Sequence, residues 1–184
     1  MATSSISLQE QTLHTLPGDA VRQIQWHFAD RFDLQMLVQA VRDVARGPVA
    51  RLVASGARQS HEWTEGKNAV LADFDASGIT AAFLDPKSGG FLEGPKNLAL
   101  ALIAFELAWV DAGAATASLA GCLALSPIHE RGTPEQRARY MALCAPPTPG
   151  EDRKPWRGAF CLTEPLPYVG VDTGMLGGKA SVAE

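Results

Sequence analysis

From Asn97 to Asp111 the chain reads Asn-Leu-Ala-Leu-Ala-Leu-Ile-Ala-Phe-Glu-Leu-Ala-Trp-Val-Asp, apolar on nearly every side with Glu106 as its only interior charge. A surface helix keeps its apolar residues in one stripe, whereas a segment apolar all round is a helix surrounded by other helices. The segment is therefore predicted to be the centre of a helical bundle. Its longest uninterrupted apolar stretch, Leu98 to Phe105, is far shorter than the roughly 20 residues that a membrane-spanning helix needs. No membrane span is expected. Glu106 has two readings, a general base with a raised pKa or a buried structural carboxylate hydrogen-bonded to a neighbouring helix, and it is given no catalytic role.

The partners for this central helix are visible on both sides of it. Leu34, Leu37, Val38, Val41, Val44, Ala45, Val49, Leu52 and Val53 recur at three- and four-residue steps, which puts them on one helical face, with Asp33 as the expected N-cap. Pro48 lacks a backbone donor and crowds the preceding turn, so a kink or break is expected at Gly47-Pro48. A shorter helix is predicted from about Thr64 to Asp75, ended by Ser77-Gly78. The stretch Ile79 to Gly90 is rich in turn formers and is predicted to be loop. After the central helix, Gly113 is expected to terminate it in the left-handed conformation, and a small-residue helix to run from Ala114 to about Leu125, stopped by Ser126-Pro127. Thr133-Pro134-Glu135-Gln136 supplies an N-cap hydroxyl, a first-turn proline and a capping-box glutamine, which predicts a helix from Pro134 to about Cys144.

The character of the chain then changes. Ala145 to Pro155 holds four prolines, a glycine and four charges, the composition of an exposed connection. Beyond it, Gly158-Ala-Phe-Cys-Leu-Thr reads as a strand and Lys179-Ala-Ser-Val-Ala as the start of another. Two short strands leave unpaired edges and bury no core, so more chain is expected after Glu184. Residues 1–31, with Pro17-Gly18 and no sustained periodicity, read as an extension with a short helix around Ala20 to Phe28. They lack a basic n-region and a long apolar stretch, so no secretory signal is expected. The domain organisation is thus an extension at 1–31, a helical bundle at 32–145, a connection at 146–157 and the start of an incomplete β-domain at 158–184.

Composition narrows the function classes. Across 184 residues, 46% hydrophobic and 20% charged content fits one globular domain, or one plus part of another, and argues against disorder. With 16 Lys and Arg against 20 Asp and Glu, the net charge of -4 offers no long-range attraction to a phosphate backbone, so no nucleic-acid partner is expected. Cys122, Cys144 and Cys161 are an odd number without metal-ligand spacing, which fits a reducing, cytoplasmic setting without a disulfide framework. His14, His27, His61 and His129 stand singly and read as surface or capping residues, so no metal is expected. Arg131 and the group Arg153, Lys154 and Arg157 read as solvated loop charge. No Walker or Rossmann glycine loop lies between a strand and a helix.

One constellation rises above this background. Phe160-Cys161-Leu162-Thr163-Glu164-Pro165, then Gly170-Val171-Asp172 and Lys179-Ala180, resembles the acyl-CoA dehydrogenase family, in which a Leu-Thr-Glu-Pro strand leads to Gly-Ser-Asp and a Thr-Lys-Ala strand at the start of the middle β-domain. Two upstream segments agree and in the right order. Gly132-Thr133-Pro134-Glu135-Gln136 through Tyr140 is similar to the family's Gly-Thr-x-Glu-Gln-Lys-x-x-Tyr helix start, and Asp85-Pro86-Lys87-Ser88-Gly89-Gly90 to its Pro-Glu-x-x-Gly-Gly loop.

The resemblance implies a mainly α chain, an acyl-CoA dehydrogenase-like N-terminal helical bundle followed by the first strands of an incomplete β-barrel domain. It implies FAD as cofactor, an acyl-CoA substrate desaturated between its α and β carbons, an electron-transferring flavoprotein as electron acceptor, and a homo-oligomer at full length. Phe160, Cys161, Leu162 and Thr163 would lie beside the flavin, with backbone contacts from Phe160 and Leu162 and a hydroxyl from Thr163. Fixed donors there stabilise the negative charge that gathers in the pyrimidine half of the ring on hydride transfer. Gly170 and Val171 stand at the position that touches both cofactor and thioester, although valine lacks the family's serine hydroxyl. Leu166-Pro167-Tyr168-Val169 is a longer spacer than the family's, and Tyr168 would offer the acyl-CoA an aromatic surface or a phenol donor. Ala117, Ser118 and Gly121 would leave room for the acyl chain, and tight helix packing explains small residues there equally well. The catalytic base and the adenine-side FAD contacts would lie beyond Glu184, leaving these residues inactive alone. Two other functions share the features so far: an acyl-CoA oxidase of the same architecture, and a non-catalytic helical binding or oligomerisation module.

Overall fold

The computed structural model describes residues 30–57 and 61–161, and these are mainly helical. The first helix, α1, spans Phe32–Val44 and buries Leu34, Leu37, Val38 and Val41, the stripe that its apolar spacing predicts. Asp33 is not its N-cap. Arg31 holds that position without a side-chain cap bond, and Asp33 sits in the first turn, accepting two hydrogen bonds from the Arg31 guanidinium at 2.9 and 2.7 Å. A forked pair with a guanidinium engages both carboxylate oxygens, where a cap bond would use one, and Arg31 also donates to the Gly94 carbonyl at 2.7 Å.

At Pro48 the α-helical pattern is interrupted, as expected, but the chain stays helical. Ala45–Val49 widens into one π-helical turn, with the Ala50 N–H reaching back to the Ala45 carbonyl, and α2 (Ala50–Ala54) continues directly. The wider turn makes room for a ring that an α-helical turn would crowd. The next helix, α3, spans Glu65–Ala76, capped by the Thr64 hydroxyl on the Lys67 N–H. Gly78, at φ 80°, reverses the chain after it.

The segment predicted to be loop is more ordered than its composition suggests. It holds two 3-10 turns, Thr80–Phe83 and Pro86–Ser88, and it buries Ile79, Ala82 and Leu84. Short-range bonds such as Ala82 N–H to Ile79 O at 3.2 Å and Leu84 N–H to Ala81 O at 3.0 Å satisfy the backbone locally, which is what allows it into the core. A Cβ at Gly90 would run into the Leu84 backbone carbonyl. That carbonyl also accepts from Lys96 Nζ at 2.5 Å, as does the Leu92 carbonyl at the same distance, so one ammonium pins both sides of the turn.

Lys96–Ala108 forms α4, which packs against α1, the first 3-10 turn and α5. Ala99, Leu102, Ile103, Glu106 and Leu107 are buried, while Ala101 and Phe105 leave one edge open among the described residues. The helix stops short of Asp111, because Asp111 swings to an extended conformation (φ -153°) and accepts the Ala114 N–H at 2.7 Å. Gly113 is therefore not a left-handed terminator. It lies in the first turn of α5, where a Cβ would press on the capping carboxylate at 2.9 Å.

The small-residue helix is longer than predicted: α5 runs Ala112–Arg131, straight through Ser126-Pro127. The carbonyl that Pro127 cannot serve belongs to Leu123, on the exposed face of the helix. The last helix, α6, spans Pro134–Cys144 and has the predicted capping box, with Thr133 and Gln136 exchanging side-chain and backbone bonds at 3.2 and 2.9 Å.

Two apolar clusters result. The larger joins α1 to Phe74, Ile79, Leu92, Ile103 and Leu107, and the smaller joins Phe83, Leu84, Cys122, Leu125 and Met141. Within the larger, Arg42 donates through Nε and Nη2 to both Glu106 oxygens at 2.9 Å, with only 7% and 1% of the two side chains exposed. Glu106 is thus the structural carboxylate of the two readings offered. After Ala145 the chain is largely exposed, and Gly158–Cys161 forms no strand among the described residues. The predicted helix at Ala20 to Phe28, the rest of the first predicted strand and the strand from Lys179 lie outside the described residues.

Candidate functional site

On one side of α5, Ala117, Ser118 and Gly121 line a cavity of about 70 Å³ whose outer wall is Trp156-Arg157-Gly158. The low floor follows from local sequence, and the wall from how the chain folds back. Ala, Ser and Gly on successive turns keep the helix surface low, and the proline-rich connection carries the chain from the end of α6 back across it. A Cβ at Gly121 would meet nothing within 4 Å, so the space beside it is real. The Ser118 hydroxyl donates to the Ala115 carbonyl of its own helix at 2.7 Å, leaving its oxygen as an acceptor. The cavity is small. Two or three waters would fill it.

A second hollow of about 360 Å³ lies between α2, α3 and the start of α5, sharing Phe74 and Ala117 with the first. It is bounded by Val49, Leu52, Val70 and Leu71, with His61, Trp63 and Lys67 at its rim. This volume lies in the range of small-molecule sites. Between Asp111 and Glu130 α5 has no Asp, Glu, Lys or Arg, and Thr116, Ala120, Leu123 and Pro127 form an exposed face at helical spacing.

The electrostatics separate the thiols. Burial pushes the Cys122 thiol up to about 11, and it raises Cys144 also, against the opposing pull of the Arg157 charge. Cys161 is exposed, and all three cysteines are free. Burial lowers the Lys96 ammonium, with Asp85 acting in the opposite sense. His129 is a surface residue as expected, edge-on to Phe83 with ring centroids 5.7 Å apart and Nε2 3.5 Å from Asp85. No group of His, Cys, Asp and Glu fit to hold a metal occurs among the described residues.

Of the residues expected at the site, Ser118 and Gly121 come together in the small cavity. Phe160 is half exposed and Cys161 exposed. Leu162, Thr163, Tyr168, Gly170 and Val171 lie outside the described residues. Sequence reasoning missed Arg157 by counting it as solvated loop charge. Its Nη2 donates to both Asp75 oxygens at 3.0 and 2.9 Å and to the Leu71 carbonyl at 3.1 Å. Its place between a tryptophan and a glycine, at the edge of an apolar run, was the available signal. Arg153 likewise pairs with Glu151 and donates to the Ala145 carbonyl at 3.0 Å.

A family model described as acyl-CoA dehydrogenase, N-terminal domain, matches residues 33–146. The chain belongs to the acyl-CoA dehydrogenase family. No curated protein and no solved structure matches it. The matched span opens in the first turn of α1 and closes just after α6, so the acyl-CoA dehydrogenase N-terminal domain and the helices described here are the same stretch of chain. The family is one of oxidoreductases and generally binds FAD. No helix among the described residues is long and apolar enough to cross a membrane.

Proposed function

We propose that these residues are the N-terminal helical domain and the opening of the middle β-domain of an FAD-dependent acyl-CoA dehydrogenase that desaturates an acyl-CoA thioester between its α and β carbons. The observation that carries this reading is the family match over 33–146, continued by a wall across α5 that leads directly into Phe160 and the Thr-Glu-Pro segment. Bound FAD supplies the acceptor for the β-hydride, and its electrons pass to an electron-transferring flavoprotein.

The chain's own part is to bind and orient. Phe160, Cys161, Leu162 and Thr163 hold the ring edge through backbone groups and one hydroxyl, and Gly170 and Val171 bring backbone against cofactor and thioester. Ser118 and Gly121 keep the surface of α5 low where the acyl group would approach, beside a space that itself takes only water, with Tyr168 as an aromatic contact. Glu106 is committed to Arg42 and shielded from solvent, so it has no part in removing the α-proton. The exposed face of α5 fits a role as a contact surface for further chain or for a second subunit of a homo-oligomer.

The test is direct. The gene product carrying these residues, purified whole, is expected to be yellow or to turn yellow on addition of FAD, with the visible flavin spectrum moving in step with binding. A colourless protein that takes up no FAD overturns the proposal. A protein reduced by acyl-CoA and reoxidised by oxygen within a turnover is the oxidase instead.

A further inference from the structure

Resting on that reading, we infer that Arg157 and Gly158 are positioning residues that fix where the start of the flavin-facing edge, Phe160 and Cys161, stands relative to the helical bundle. Three ties hold the chain just before this edge, each to a different helix. The Trp156 N–H donates to the Leu143 carbonyl of α6 at 2.9 Å. Arg157 grips α3 through the Asp75 carboxylate, at 2.9 and 3.0 Å, and the Leu71 carbonyl. Gly158 lies flush on α5, where a Cβ would overlap the Ala124 methyl. Ties from three consecutive residues to three different helices restrain a short segment. Phe160 follows Gly158 by two residues, about 7 Å of extended chain, too little for a displacement to be absorbed before the edge begins.

These ties contribute more to placement than to holding the fold together. The Arg157 and Asp75 side chains are 38% and 17% exposed, and ion pairs open to solvent add little to stability. Losing the pair is therefore expected to leave the helices folded while freeing the segment to shift. A supporting shell that is loose by an ångström is enough to spoil a binding constellation.

The experiment uses the whole gene product with FAD. Arg157→Ala and Asp75→Ala are each expected to weaken FAD binding by about tenfold and to alter the visible absorption of the bound flavin. In FAD affinity the double variant is expected to be no worse than Arg157→Ala alone, because without the guanidinium the Asp75 carboxylate has only its bond from the Thr80 hydroxyl, within the bundle, left to lose. Gly158→Ala is expected to do the same by steric displacement, and adding Ala124→Gly, which removes the overlapping methyl, is expected to restore most of the affinity and the wild-type spectrum. A merely structural role would move the thermal midpoint without this spectral change and compensation. If Gly158→Ala fails to fold, the Arg157 and Asp75 variants decide. A yellow wild type whose Arg157→Ala variant keeps its FAD affinity and spectrum overturns the positioning role alone. A wild type that binds no FAD overturns the functional reading as well.

Discussion

Arg42 and Glu106 meet inside the larger apolar cluster, and their pairing makes each side chain's burial conditional on the other's. Two charges removed from water are tolerated because a forked pair of hydrogen bonds satisfies them together. Glu106→Ala strands a guanidinium in the core and is expected to cost about 3 to 5 kcal/mol, read from urea unfolding, whereas replacing both residues by apolar ones of similar volume recovers most of that loss. Cys122 gives a second prediction. Its thiol is raised from the ordinary 9.0 to about 11 by burial, so the folded state holds the proton that the unfolded state releases. The associated stability is full below about pH 9 and is lost as pH rises toward 11, and Cys122→Ala is expected to flatten that alkaline slope. Asp33 acts in the opposite sense. The Arg31 hydrogen bonds hold its carboxyl below the ordinary 3.8, so its contribution is present above that pH and fades as acid protonates it. Asp33→Asn is expected to reduce the acid-side fall in unfolding midpoint.

At the scale of single elements, local chemistry sets most boundaries. Thr133 satisfies the Gln136 N–H at the start of α6 while the Gln136 side chain returns the bond. Thr133→Ala is expected to cost about 1 kcal/mol, seen as a lowered thermal midpoint. Pro127 is a test of the longer α5. Pro127→Ala supplies the backbone donor that the Leu123 carbonyl lacks and is expected to raise the midpoint, a fall being the result that contradicts this account. These same places show what could be read in advance. The α1 stripe, the Thr64 to Ala76 helix and the capping box were legible because spacing and cap residues act within a few positions. Gly113 and Pro127 misled because their effect depends on what surrounds them, a capping carboxylate in one case and an exposed turn in the other, and at Pro48 the spacing did not say that the interruption would take the form of a π turn. Arg31 took Asp33 out of its expected cap for the same kind of reason, a partner that composition alone does not rank.

Across the whole molecule, the bundle was legible and the site only in outline. The apolar segment from Asn97 fixed the helical class, and the motif order pointed to the family that the match over 33–146 then established. The wall over α5 was not legible, because Arg157 finds Asp75 and Leu71 only after the chain has folded back by more than eighty residues. The measurement that bears most directly on the central claim is an anaerobic titration of the FAD-loaded gene product with acyl-CoA thioesters of several chain lengths. The account predicts that at least one of them bleaches the visible flavin absorption with a stoichiometric end point and yields the α,β-unsaturated thioester. A flavin that stays oxidised in the presence of every acyl-CoA offered would contradict it.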